Sequence, residues 1–165
     1  MLLNLIQKNL SGKRVSRIGS SKTGCFYVVT DRVDYTGLDQ VFPLHPENQF
    51  FLDEIDEAKI KEAEVLEIGV GSGVLSIVAV KAGAKKVIGL KINPRAKNYA
   101  DFNIVANGLE DRIEVRDGDT KEIFKPVVGE KFDYIISNPP FEPTPPGTDY
   151  YLHSSGGKYG LDFVE

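Results

Sequence analysis

The stretch at residues 64–80, EVLEIGVGSGVLSIVAV, constrains the fold of this chain more than any other. Its first five or six residues form an apolar run too short for a helix and bounded by a glycine turn, so they read as a buried strand. Gly69, Gly71 and Gly73 then let the backbone turn tightly. "SGVLSIVAVKAGA" (72–84) follows with helical length and closes at Gly83. The alternation continues with a strand "KVIGLK" (86–91) and a helix "NPRAKNYADFNIVANG", in which Asn93 caps, Pro94 takes the first turn and Asn107-Gly108 ends it. "RIEVRD" (112–117) and "KFDYIIS" (131–137) supply two more strands. Strands alternating with helices predict a parallel sheet. Right-handed crossovers put the second and third strands on one side of the first and the fourth on the other.

Upstream, residues 1–45 read as a small β-rich element ending in the strand candidate "CFYVVTDRV", and residues 46–165 as the α/β domain. "FPLHPENQFFLDEIDEAKIKEA" predicts a single helix opened by Pro46. Charge divides the same way. Residues 1–30 hold Lys8, Lys13, Arg14, Arg17 and Lys22 and no acid; with a chain total of −4, the other 135 residues carry −9. A basic arm on an acidic body can attract phosphate, or can be no more than a solvated hairpin. The single cysteine, Cys25, excludes an intrachain disulfide and offers no metal cluster, which fits a reducing cytoplasm. No apolar run is long enough to span a membrane. His45 and His153 lack ligand spacing and read as surface or loop residues.

Two features carry chemistry. The glycine turn lies at the first strand-to-helix junction, where open α/β sheets bind ligands. Its spacing is G-x-G-x-G with Val74 next, so it departs from the dinucleotide pattern that needs a later third glycine. The fourth strand runs into "SNPPF" (137–141), where two prolines end the sheet and stiffen the chain immediately beyond it.

"VLEIGVGSGVLSIVAVKAGAKKVIGLKINPRA" followed by "FDYIISNPPF" resembles the class I S-adenosylmethionine-dependent methyltransferases, and within them the group with an Asn-Pro-Pro-aromatic signature. The resemblance covers roughly residues 40–165 and implies a Rossmann-like α/β sheet, here apparently truncated after the fourth core strand. It implies methylation of a planar nitrogen: an exocyclic amine of RNA or DNA, or a protein glutamine amide. By resemblance, Asn138 Oδ1 and the Pro139 carbonyl accept the substrate's N–H groups, Pro140 fixes that carbonyl's direction and Phe141 stacks on the planar group. Glu67, Gly69, Gly71, Gly73, Ile92, Asn93, Asp119 and Asn138 surround S-adenosylmethionine. The segment with Phe42, His45, Pro46 and Glu47 closes over it. "SSGGKYGLDFVE" resembles the Gly-Gly-x-x-Gly stretch of glutamine and ribosomal RNA methyltransferases. No metal is implied.

Lys91 departs from this pattern. It stands where the group usually has an acidic residue that accepts from the ribose hydroxyls, leaving the Asn93 side-chain oxygen as a partial substitute. A basic residue there also suits a 2′-phosphate, though the glycine spacing disfavours a dinucleotide. Ending on the fourth strand leaves an apolar sheet edge, to be covered by a homo-oligomer, a missing C-terminal half or the N-terminal hairpin. The basic arm tilts the substrate slightly towards RNA. A non-catalytic protein of the same fold, binding a partner or nucleic acid, is the alternative.

Overall fold

The computed structural model describes residues 12–118 and 122–162. An antiparallel hairpin comes first, β1 Lys13–Ser20 and β2 Gly24–Asp31, paired from Lys13↔Asp31 to Ser20↔Gly24. Two short helices follow, α1 Pro46–Glu54 and α2 Glu57–Ile60. The α/β unit then runs β3 Glu64–Ile68, α3 Val74–Lys81, β4 Lys86–Lys91, α4 Pro94–Ala106, β5 Ile113–Asp117, a 3₁₀ turn at Lys125–Val127 and β6 Tyr134–Ser137. Its strands are parallel in the order β5-β4-β3-β6, with the first strand central as the crossover rule requires.

Alternation along the strands divides the core. Val65 and Val87 face one side and pack with Ile77 and Val78 of α3, Ile104 of α4, Leu52 of α1 and the hairpin's Phe26 and Val28. Leu66, Ile88 and Leu90 face the other, against Val127, with Ile123 and Phe132 beside them. Every residue from Val74 to Val80 is buried, which is why α3 is apolar all round.

The structure corrects the single helix expected after residue 42. Ile55 turns out of helical geometry, and the Asp56 carboxylate accepts from the Ala58 and Lys59 N–H groups, starting α2 afresh. An N-capping acid inside an apolar pattern breaks a helix without changing the pattern.

The hairpin does not cover the edge of β6. It forms its own two-stranded sheet and contacts α1 and α4 instead. Several side chains tie it to the domain, two of them wholly buried. Asn103, wholly buried in α4, accepts from Val29 N–H and donates to Val29 O and Ser72 O at 2.8–2.9 Å. Asp31, also wholly buried, accepts from Arg95, Tyr99, Lys13 and the Val41 N–H. Burial alone would raise the Asp31 pKa, but these donors outweigh it and hold the carboxyl well below its ordinary value.

Two of the five basic residues of the expected phosphate-seeking arm are engaged by the rest of the fold. Lys13 joins the Asp31 network, and Lys22 donates to Asp53 O and Ile55 O at the end of α1. Arg14 and Arg17 are exposed, and Lys8 lies outside the described residues. Ile135 of β6 is 60% exposed at an edge that no described strand pairs.

Candidate functional site

A cleft opens at the carboxyl ends of β3, β4 and β6, walled by residues from the glycine turn, the 40–48 segment, the start of α4 and the residues after β6. The Gly69 and Val70 N–H groups both donate to Leu90 O, at 3.0 and 2.9 Å, and fold the turn over the end of β4. Gly71 lines the cleft, and a Cβ there would meet nothing within 4 Å, so the backbone stands bare to a ligand. Gly73 is not at the cleft. It caps α3 with φ 80°, and a Cβ would come within 3.3 Å of Ala100, so this glycine brings α3 and α4 together.

Glu67 lines the cleft from the end of β3 and is 2% exposed. Ser76 of α3 donates its hydroxyl to Glu67 Oε2. Burial pushes the carboxyl up from 4.5 to about 7, with the Ser76 hydrogen bonds opposing it. A buried carboxyl poised there suits a cationic ligand group, which would favour its ionised form.

Asn138 and Pro140 line the cleft from the β6 side. Asn138 Nδ2 donates to Glu47 Oε1 at 3.2 Å. That bond orients the side chain and leaves Oδ1 as its acceptor. Glu47 reaches this position because Pro46 and Glu47 form the first turn of α1, capped reciprocally by His45 and Asn48. Glu47 and Phe42 line the cleft, while His45 and Pro46 set the helix that presents them. Phe141 is 61% exposed just beyond.

Ile92 and Asn93 also line the cleft. Asn93 is committed elsewhere: its Oδ1 caps α4 by accepting from Arg95 N–H at 2.9 Å, and its Nδ2 donates to Asp39 O at 2.9 Å. Lys91 does not line the cleft; it is buried, with Nζ 2.9 Å from Asp117 Oδ1 on β5. The expectation for Asp119 lies outside the described residues.

The sequence reading missed Gln40, Leu152 and His153, which also line the cleft, the last two brought back by the chain after the signature. His153 was read as a loop residue; it is in a loop, but its ring is half-buried against the cleft and burial holds its pKa below the ordinary imidazole value. No spacing signal marks it, because its partner Gln40 is 113 residues away.

An adenosyl amino acid fits these residues: bare backbone at Gly71, apolar walls from Val74, Ile92 and Ala96, and a buried carboxylate for an ammonium. Solved structures define the class. The T. thermophilus 16S rRNA N2 G1207 methyltransferase, in complex with AdoMet and guanosine, superposes with a TM-score of 0.62 at 19% identity over 79% of this chain and 33% of its own. The Trypanosoma brucei PRMT1 enzyme–prozyme complex with AdoHcy is 34% identical at a TM-score of 0.50, over 57% of this chain and 29% of its own. The fold is that of the class I S-adenosylmethionine-dependent methyltransferases, with AdoMet or AdoHcy as their cofactor. Residues 44–139 match the ribosomal protein L11 methyltransferase (PrmA) family, and the chain belongs to it. A Methanocaldococcus jannaschii protein carrying the name "Putative protein N5-glutamine methyltransferase" is 41% identical over 64% of this chain and 53% of its own length. The ribosomal protein L11 methyltransferase of Alkaliphilus oremlandii is 35% identical over 57% of this chain and 29% of its own. The chain thus spans about half the length, or less, of these relatives.

Proposed function

We propose that this chain carries an S-adenosylmethionine-dependent N-methyltransferase site for a planar nitrogen, with the side-chain amide of a protein glutamine as substrate. The observation that carries this is the Glu47–Asn138 bond, which turns Asn138 Oδ1 into a fixed acceptor at the end of β6. An amide nitrogen is a poor nucleophile because its lone pair is delocalised. Two acceptors on its N–H groups, Asn138 Oδ1 and the Pro139 carbonyl, polarise it and turn the lone pair towards the methyl group. Both are held before the substrate arrives, so little reorganisation accompanies the reaction. When bound, the cofactor supplies an electrophilic methyl on a sulfonium. Glu67 pairs with its ammonium, Gly69 and Gly71 allow its close approach, and Phe141 stacks on the substrate's planar group. Division into a basic β-rich element over residues 1–45 and a cofactor-binding domain over 46–165 goes with this reading, as does a cytoplasmic location.

Protein is favoured over RNA because two of the relatives carry names of protein methyltransferases and because Lys13 and Lys22 are occupied within the fold. The test is methyl transfer from labelled cofactor to a glutamine-bearing release factor beside bulk RNA. Label should enter the protein and fall at least about a hundredfold with Asn138→Ala, the loss seen when a transition-state hydrogen bond is deleted. Label in RNA alone, or an unaffected variant, would refute the proposal.

A second reading, a non-catalytic binding protein, has one observation behind it. Lys91 and Asp117 are paired and Asn93 is engaged as a cap, at the edge where the ribose hydroxyls need an acceptor. Titration with S-adenosylhomocysteine separates the two readings, since a failed cofactor site binds none.

A further inference from the structure

The segment that follows the signature does not leave the site; it folds back to line the cleft with Leu152 and His153. Its two ends are fastened beside Phe141. Glu142 N–H donates to Ser154 O at 2.8 Å, Gly156 N–H to Glu142 O at 2.9 Å and Thr144 N–H to Gly157 O at 2.7 Å. Immediately before the second fastening, Leu152 N–H donates to Leu38 O at 2.9 Å and His153 Nε2 lies 3.1 Å from Gln40 Oε1.

The polarity of that last bond follows from its neighbours. Gln40 is buried, and its amide nitrogen donates to Arg32 O at 3.2 Å and Tyr35 O at 2.9 Å. Its oxygen therefore faces His153, which must carry its proton on Nε2. Nδ1 is then free to accept from Ser154 Oγ, 2.9 Å away. The ring is also held on two sides, by Phe42 with centroids 4.5 Å apart and by Tyr151 at 5.2 Å, nearly parallel to it. Gln40, Phe42, Leu152 and His153 all line the cleft, as Asn138 and Glu67 do.

We propose that His153 is a positioning residue that latches this returning segment to Gln40 and so keeps Leu152 and the His153 ring in place as part of the cofactor cleft's wall. The proposal rests on the reading that the cleft takes S-adenosylmethionine. The His153–Gln40 bond and the Phe42 contact then slow cofactor release by holding this wall against the ligand.

The experiment is stopped-flow dissociation of S-adenosylhomocysteine from the full chain, with His153→Ala, Gln40→Ala, the double variant and His153→Gln. One neutral hydrogen bond and one aromatic pair correspond to a roughly ten- to hundredfold faster dissociation for His153→Ala. The double variant should be no faster than the faster single one, because both remove one bond. His153→Gln, which keeps a donor, should recover part of the loss. Hydrogen exchange at the Leu152 amide in the ligand-free protein should speed up about as much in His153→Ala, which reads the latch apart from any ligand. Unchanged dissociation in the single variants, or effects that multiply in the double one, would overturn the latch while leaving the cofactor reading intact. A wild-type protein that binds no S-adenosylhomocysteine would overturn the cofactor reading and, with it, the latch's role.

Discussion

Replacing Glu67 by Gln tests how the cleft is electrically prepared. Glu67 is buried, and Ser76 is the one described side chain that donates to it. Raising its pKa from 4.5 to about 7 means that the folded protein disfavours the ionised form by about 3 kcal/mol. Between those two values the folded state holds a proton that the unfolded chain has released. Stability therefore falls as the pH rises from about 4.5 to about 7, and levels off above that. Glutamine keeps an oxygen for the Ser76 hydroxyl and carries no charge. At pH 8, Glu67→Gln should be about 3 kcal/mol more stable than the wild type, which for a chain of this size is a melting temperature roughly 6–12 °C higher. The advantage should shrink to nothing near pH 4. Differential scanning calorimetry of both proteins from pH 4 to 8 measures it. Parallel curves across the whole range would refute the reasoning, since they would mean that Glu67 is as well solvated as in the unfolded chain. The gain should come with weakened S-adenosylhomocysteine binding, because an uncharged amide cannot pair with its ammonium.

Three further outcomes are expected. Asp31→Ala strips a wholly buried acceptor from Arg95, Lys13 and Tyr99 and should cost about 3–5 kcal/mol by chemical denaturation. Because the Asp31 pKa is depressed on folding, its stabilisation should be present in full at neutral pH and fade below about pH 4, so the wild type and Asp31→Asn should converge in acid. Lys91→Asp would set two carboxylates together beside Asp117, so it should bind S-adenosylhomocysteine no better than wild type by calorimetric titration, whereas Lys91→Asp with Asp117→Asn should bind more tightly. Gly160 has φ 75°, and a Cβ there would fall 2.4 Å from Phe141 O; Gly160→Ala should lower kcat at least about tenfold in the methyl-transfer assay while leaving S-adenosylhomocysteine affinity within about twofold.

Strand order was legible because it depends on short-range alternation plus one handedness rule, and EVLEIG, KVIGLK and RIEVRD occupy the places read for them. The glycine turn and the signature were legible because each is contiguous. What escaped was long-range pairing. Asp31 gives no local sign that it meets Arg95, 64 residues on, and Lys91 reads as a cofactor-edge residue until Asp117 on the next strand claims it. Lys13 and Lys22 looked like a surface property alone, and each also ties the hairpin to the domain. Asp56 hid a helix break because its carboxylate acts on the backbone, leaving the apolar period unchanged.

The shortness of β6 bears on how the molecule breathes. Its four residues pair with a strand on one side alone among the described residues, so the ladder holding the signature has half the usual cross-links. What compensates is sparse: Asn138 on Glu47, the crossings at Glu142 and Gly156, and Leu152 and His153 on Leu38 and Gln40. Sub-global opening should then detach β6, the signature and the returning segment as one cooperative unit, while β3, β4 and α3 stay protected. Native-state exchange would show these amides merging at an opening energy below the global one. A substrate chain would then bind to the part of the molecule that opens first.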